Sequence, residues 1–142
     1  MTGYVVDASV AVKWLVSEAF SDEAAQLLGI DTTLVAPELL FAEAANALWA
    51  LHRRGDIGAT DLAEAVDVLK AAPLSVPASM RQLAAAATRL ATDLVHPVYD
   101  CFYLALGVQE HYPVVTADQR FHDLVRAHPY LSDRIVHVRD IA

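Results

Sequence analysis

The chain has 142 residues and a mass of 15.4 kDa, within the ~100–200 residues of one folding unit and long enough to bury a hydrophobic core. Apolar residues make up 56 % and charged residues 20 %, with five Gly and six Pro, which excludes disorder, collagen and low-complexity linkers. One cysteine, Cys101, excludes an intramolecular disulfide and a Cys-based zinc cluster, and a net charge of −8, from 18 acidic against 10 basic residues, argues against a simple basic-groove binder of nucleic acid.

Tyr4 to Val6 reads as a short buried strand. Ser9 is placed to cap a helix through about Val16, and Ser21 another through about Leu28. Thr33 to Ala36 is a second apolar run, closed by Pro37. From Pro37 to about Arg53, Leu40, Ala44, Ala47, Leu48 and Leu51 recur at helical spacing. Pro is tolerated in the first turn, Arg53 and Arg54 suit the negative end, and Gly55 stops the helix. Thr60 or Asp61 starts the next helix, to about Ala72, and Leu74 to Val76 is a further strand candidate. An Ala-rich helix covers about Ser79 to Val95. Pro97 opens another to about Glu110, apolar on nearly every side and so expected at the centre. Val114 to Thr116 is a strand, Asp118 to about Ala127 a helix, and Ile135 to Val138 the last strand. Short strands alternating with helices predict an α/β fold with a mainly parallel central sheet covered on both faces, in a single domain over 1–142. The apolar start is broken at Asp7, Lys13 and Glu18, and no run approaches the ~18 apolar residues of a membrane span, so a cytoplasmic protein is expected.

Most acids fall on ordinary amphipathic faces. Four do not. Asp7 ends the first strand, and Asp118 follows the strand ending at Thr116. Glu43 lies inside Leu39-Leu40-Phe41-Ala42-Glu43-Ala44-Ala45, and Asp100 inside Val98-Tyr99-Asp100-Cys101-Phe102-Tyr103-Leu104. Sites in parallel sheets gather outside the carboxyl ends of the strands, which places Asp7 and Asp118 on one rim. Asp100, near a helix N-terminus, and Glu43, two turns into its helix, can reach the same rim. Successive members stand 36, 57 and 18 positions apart. Four carboxylates brought together raise one another's pKa, and a divalent cation relieves the repulsion. All-oxygen ligands select Mg²⁺ or Mn²⁺, an ion able to orient a phosphate, activate water and stabilise a leaving oxygen. The competing account is that Asp7, Asp100 and Asp118 are only helix caps or first-turn charges.

These segments resemble the PIN-domain family, and most closely the ribonuclease toxins of bacterial VapBC toxin–antitoxin pairs. Val5-Val6-Asp7-Ala8-Ser9 resembles the opening strand with its first acid. Pro37 to Leu48 resembles the helix with the second acid, Glu43, and Asn46 a turn on. Tyr99 to Leu106 resembles the helix with the third, Asp100, and Val114 to Phe121 the strand, Thr116 and fourth acid, Asp118. The resemblance covers nearly the whole chain. It implies a three-layer α/β/α sandwich, Mg²⁺ or Mn²⁺ on the four acids, cleavage of structured RNA, neutralisation by a small antitoxin, and a homodimer. Cys101 and Gly107 depart from the pattern at positions away from the acids.

Ser9 either orients Asp7 or a metal-bound water or caps a helix, Asn46 is a candidate hydrogen-bonding partner within the site, and Thr116 either bonds to Asp118 or a phosphate or caps a helix. Cys101 is expected as a packed thiol. The six His lack zinc spacing, and Trp14 and Trp49 are expected in the core or an interface. Lys13, Arg53, Arg54, Arg81, Arg89 and Arg120 are the candidates for phosphate contacts. Receiver-like and haloacid-dehalogenase-like readings fail because Asp7 lacks the needed second acid, and nucleotide-binding folds fail for want of a Gly-rich loop. The remaining alternative is a non-catalytic PIN-like RNA-binding or assembly module. An apolar partner helix is expected in a groove around Val12, Leu15, Val16 and Leu27.

Overall fold

The structure, a computed structural model, describes residues 2–29 and 31–141. Its elements are β1 (Thr2–Val6), α1 (Ala8–Leu15), α2 (Ser21–Gln26), β2 (Thr32–Val35), α3 (Leu39–Arg53), α4 (Ala59–Lys70), α5 (Met80–Leu94), α6 (Val98–Glu110), β3 (Val114–Thr116), α7 (Gln119–Arg126) and β4 (Ile135–His137), followed by a 3-10 turn at Val138–Asp140. The four strands form one parallel sheet in the order β2-β1-β3-β4. This is the expected α/β/α sandwich.

The sheet is short and buried, which explains its Val-rich strands. Val5 lies opposite Val35 on one side and Val114 on the other, and both Val5 and Val6 are fully buried. Helix α6 packs on β1 and β3 and is backed by α5, so the helix that is apolar all round is indeed central. Helix α1 packs against β3, α2, α3 and α4, and α7 against β3 and β4. Gly107 accounts for its departure from the family pattern. A Cβ there would stand 2.7 Å from the Tyr112 carbonyl oxygen and 3.5 Å from Val114, so only glycine lets α6 lie this close to the strand that follows it.

Three local expectations are corrected. Residues 74–76 do not form a strand. Only Ser75 joins the sheet edge, bridging to Val35 through Ser75 N–H to the Leu34 carbonyl (3.0 Å) and Ala36 N–H to the Ser75 carbonyl (3.0 Å). Leu74 N–H instead turns back to Ala72 (2.8 Å), and Pro73 and Pro77 bring no donor. Neither Ser9 nor Ser21 is an N-cap: Asp7 precedes α1, and Phe20, at φ 66°, precedes α2. Ser79 does start α5 and forms a reciprocal capping box with Gln82. Among the described residues no helix is long and apolar enough to cross a membrane.

Candidate active site

Strand β1 continues to β2 on one side, while β3 lies on its other side, so the sheet's connections diverge between β1 and β3. The crevice outside the carboxyl ends of such a strand pair is where open α/β sheets bind ligands. Asp7 and Thr116 stand at those two ends, and the ladder runs on to Asp7, whose N–H donates to the Val115 carbonyl at 3.1 Å.

Asp7 occupies the N-cap position of α1, yet its side chain makes no capping bond. Its Oδ2 instead accepts from Thr116 Oγ1 at 2.6 Å and from Ser9 Oγ at 3.0 Å. Ser9 Oγ in turn accepts from Ala117 N–H (3.0 Å), and Thr116 Oγ1 accepts from Asp118 N–H (3.0 Å). Both hydroxyl hydrogens are therefore committed to one carboxylate oxygen, and both hydroxyl oxygens are held by the backbone after β3. Among the described residues no hydrogen bond reaches the other Asp7 oxygen. Ser9 is thus an orienting group, not a cap.

The other acids differ. Tyr103, fully buried, donates its hydroxyl to Glu43 Oε1 at 2.6 Å, joining α6 to α3. Asp100 is bonded to His96 Nε2 at 2.6 Å, and the His96 ring stacks on Phe121 at 5.2 Å between centroids. Asp118 does serve as a helix cap: its Oδ1 accepts from Phe121 N–H at 3.1 Å. It is tied to Asp7 through Thr116. Asn46 is exposed one turn beyond Glu43.

Electrostatics groups the first three acids. Burial pushes the Asp7 carboxyl up to about 6, against the pull of Thr116 and Ser9, with further upward pressure from Asp100 and Glu43. Glu43 is also raised, by burial first, with Tyr103 opposing and Asp100 adding to the rise. The Tyr103 hydroxyl is held protonated by burial, by Asp7 and by its bond to Glu43. Cys101 is fully buried and pushed up to about 11 by burial and by Asp100, so it is a packed thiol and not a nucleophile. Among the described residues no Lys or Arg is ion-paired with Asp7, Glu43 or Asp100.

This donor set fits a hard divalent cation. It is all oxygen, it carries uncompensated negative charge, and one oxygen of its most buried member is open. Among the described residues no three acid, histidine or cysteine side chains form a ready-made chelate.

Tyr103 and His96 escaped the sequence reading. Tyr103 stands three residues after Asp100 on α6, and that helical spacing was the available signal for it. His96 precedes the N-cap of α6, so spacing gave no such signal. Trp14 is tied to the Ala24 carbonyl (2.8 Å), whereas Trp49 is 51 % exposed, outside the core, with Arg53 over its ring. Of the groove expected around Val12, Leu15, Val16 and Leu27, only Leu27 is corrected, being buried in the core. Leu15 and Val16 line a cavity shared with Ile57, Ala65, Val68 and the acids Asp61 and Glu64, and Val12 lines a second one.

A sequence model of the PIN domain matches residues 4–127. Among solved structures, the chain is similar to PAE2754 from Pyrobaculum aerophilum, with 21 % identity, a TM-score of 0.64, and 97 % of this chain and 90 % of that one covered. It is similar also to VapBC2 from Rickettsia felis bound to a DNA fragment from their promoter, with 13 % identity, a TM-score of 0.66, and 96 % and 98 % covered. No curated protein matches the chain in sequence. At these identities the two structures share the fold.

Proposed function

The chain belongs to the PIN domain family, and from that premise we propose that it is a divalent-metal-dependent endoribonuclease acting as the toxin of a toxin–antitoxin pair. The observation that carries the reading is the set of Asp7, Glu43 and Asp100, whose charges act on one another near the divergence of β1 and β3, with no Lys or Arg ion-paired to them among the described residues. Asp7 and Asp100 are the leading ligands of Mg²⁺, or of Mn²⁺ in its place, with Glu43 and Asp118 completing the set directly or through water. When bound, the ion supplies polarisation of the phosphate and a lowered pKa for attacking water.

The chain's own residues do the positioning. Ser9 and Thr116 hold one oxygen of Asp7 and leave the other without a hydrogen bond among the described residues. Tyr103 holds Glu43, and His96 holds Asp100 against rotation. Each ligand is fixed before the ion arrives, so little side-chain ordering remains to be done on binding. Hydrolysis then joins a water oxygen to phosphorus and breaks the bond to the leaving ribose oxygen, which takes up a proton. The toxin assignment draws support from the fold shared with VapBC2, and a cognate antitoxin and a homodimer belong to the proposal.

The test is an RNA-cleavage assay with Mg²⁺ or Mn²⁺, with EDTA and Asp7→Asn as controls. Cleavage that needs the ion and falls by orders of magnitude in folded Asp7→Asn supports the reading. Undiminished cleavage by that variant rejects it. Harmless expression of the chain without a companion rejects the toxin role and leaves the nuclease standing.

A further inference from the structure

The cleft between α1 and α3 carries two of the chain's ten basic residues into a single cavity that Ser9, the hydrogen-bond partner of Asp7, also lines. The cavity, of about 410 Å³, is lined at one end by Ser9 and Ala117 and farther along by Lys13 and Arg54. Helix geometry explains the alignment. Ser9 and Lys13 are one turn apart on α1, while Glu43, Ala47, Ala50 and Arg54 follow one another at steps of four, three and four on α3. Ala47 and Ala50 leave the floor between the two helices low. Along α3 the step from Glu43 to Arg54 is roughly 16 Å at 1.5 Å per residue.

We infer that this cavity binds backbone phosphates of RNA beside the one that is cut, one at Lys13 and one farther along at Arg54. The inference rests on the nuclease reading and adds a subsite to it. A chain of net charge −8 repels a polyanion, so the substrate must be held by cations placed locally. Lys13 is preset. Its side chain is only 8 % exposed, and Nζ uses two of its three donors on Glu18 Oε1 (3.1 Å) and the Ala19 carbonyl (2.6 Å). The ammonium also lies over the Phe20 ring, 5.9 Å from its centroid, and an incoming phosphate competes with that weak contact for the third donor. Arg54 is bound to Asp56 at 3.1 Å, but that pair is 64 % and 55 % exposed. Such pairs are worth little and exchange readily for a bidentate phosphate. Glu18 also lines the cavity, and Lys13 neutralises it. Of the other candidate cations, Arg53 lies over the Trp49 ring, on another side of α3.

Binding is measured by fluorescence anisotropy with a labelled single-stranded RNA of mixed sequence, in an Asp7→Asn background where the probe stays intact. Arg54→Gln, exposed and safe for folding, decides the matter, and Lys13→Gln follows once thermal melts match. Each is expected to weaken binding roughly five-fold and to flatten the slope of log affinity against log salt by about 0.7. In the cleaving protein the same variants raise KM and leave kcat unchanged. Unchanged affinity and slope in Arg54→Gln and in the double variant overturn the subsite, as does a probe that does not bind at all. Cleavage that depends on Asp7 but not on Lys13 or Arg54 removes the subsite alone. RNA binding that depends on Arg54 in a chain that never cleaves removes the nuclease reading alone.

Discussion

Asp7→Asn should make the metal-free protein more stable at neutral pH, while destroying the site. The carboxyl is 6 % exposed and its pKa rises from 3.8 to about 6 on folding. The folded state therefore holds the proton more tightly than the unfolded chain. The stability this confers is full below the unfolded value of 3.8 and is lost as pH rises through about 6. A rise of about two units corresponds to ~3 kcal/mol at 1.36 kcal/mol per unit, and above pH 7 the whole of it is missing. Asparagine keeps the volume and keeps one oxygen for Ser9 and Thr116, but its amide needs an acceptor of its own, which offsets part of the gain. The net expectation is ~1–3 kcal/mol, or about 3–9 °C in Tm for a chain of this size. Circular-dichroism melts in EDTA, from pH 4 to pH 8, read it directly. The variant should melt above the wild type at pH 8, and the difference should close toward pH 4. Added Mn²⁺ should raise the wild type and leave the variant unmoved. A variant that melts below the wild type at pH 8, or a difference independent of pH, refutes the electrostatic argument.

Tyr103→Phe removes the 2.6 Å bond that holds Glu43, and should cost about 1 kcal/mol in urea unfolding and about ten-fold in cleavage rate. Thr116→Val deletes the strongest force lowering the Asp7 pKa. It should cost ~1–3 kcal/mol and shift the acid limb of the cleavage profile to higher pH. An unmoved limb counts against that role. Gly107→Ala places a methyl 2.7 Å from the Tyr112 carbonyl oxygen. It should destabilise by about 1–3 kcal/mol in a urea melt, while leaving metal affinity in the folded protein intact.

Three of the acids were legible in the sequence because they stand in apolar segments, while Asp118 is exposed and was legible only from its place after a strand. Asp7 ends a strand buried on both faces, and Glu43 and Asp100 interrupt apolar helical runs. The fold class was legible for a related reason: buried parallel strands read as short Val runs, as at Val114-Val115. The partners of the acids were not. Whether Ser9 caps α1 or turns to Asp7 depends on Ala117 N–H arriving from a strand 108 positions away. His96 reaches Asp100 because the turn between α5 and α6 puts Val95 at φ 51°, a conformation that a β-branched residue does not announce. Ser75 failed as a strand because a prolines-flanked segment supplies too few donors for a ladder. Leu27 faces inward, and sequence periodicity alone does not tell a core face from a groove.

The central claim is that Asp7 at the end of β1 and Asp100 on α6, with Glu43 and Asp118, hold a divalent cation. Calorimetric titration of the purified protein with Mn²⁺ at pH 7.5 tests it without RNA, partner or turnover. The account predicts one saturable process in the wild type, weakened at least about ten-fold in Asp7→Asn and in Asp100→Asn while both variants remain folded. Binding of equal strength in the wild type and in folded Asp7→Asn, or no binding in any of the three, contradicts it.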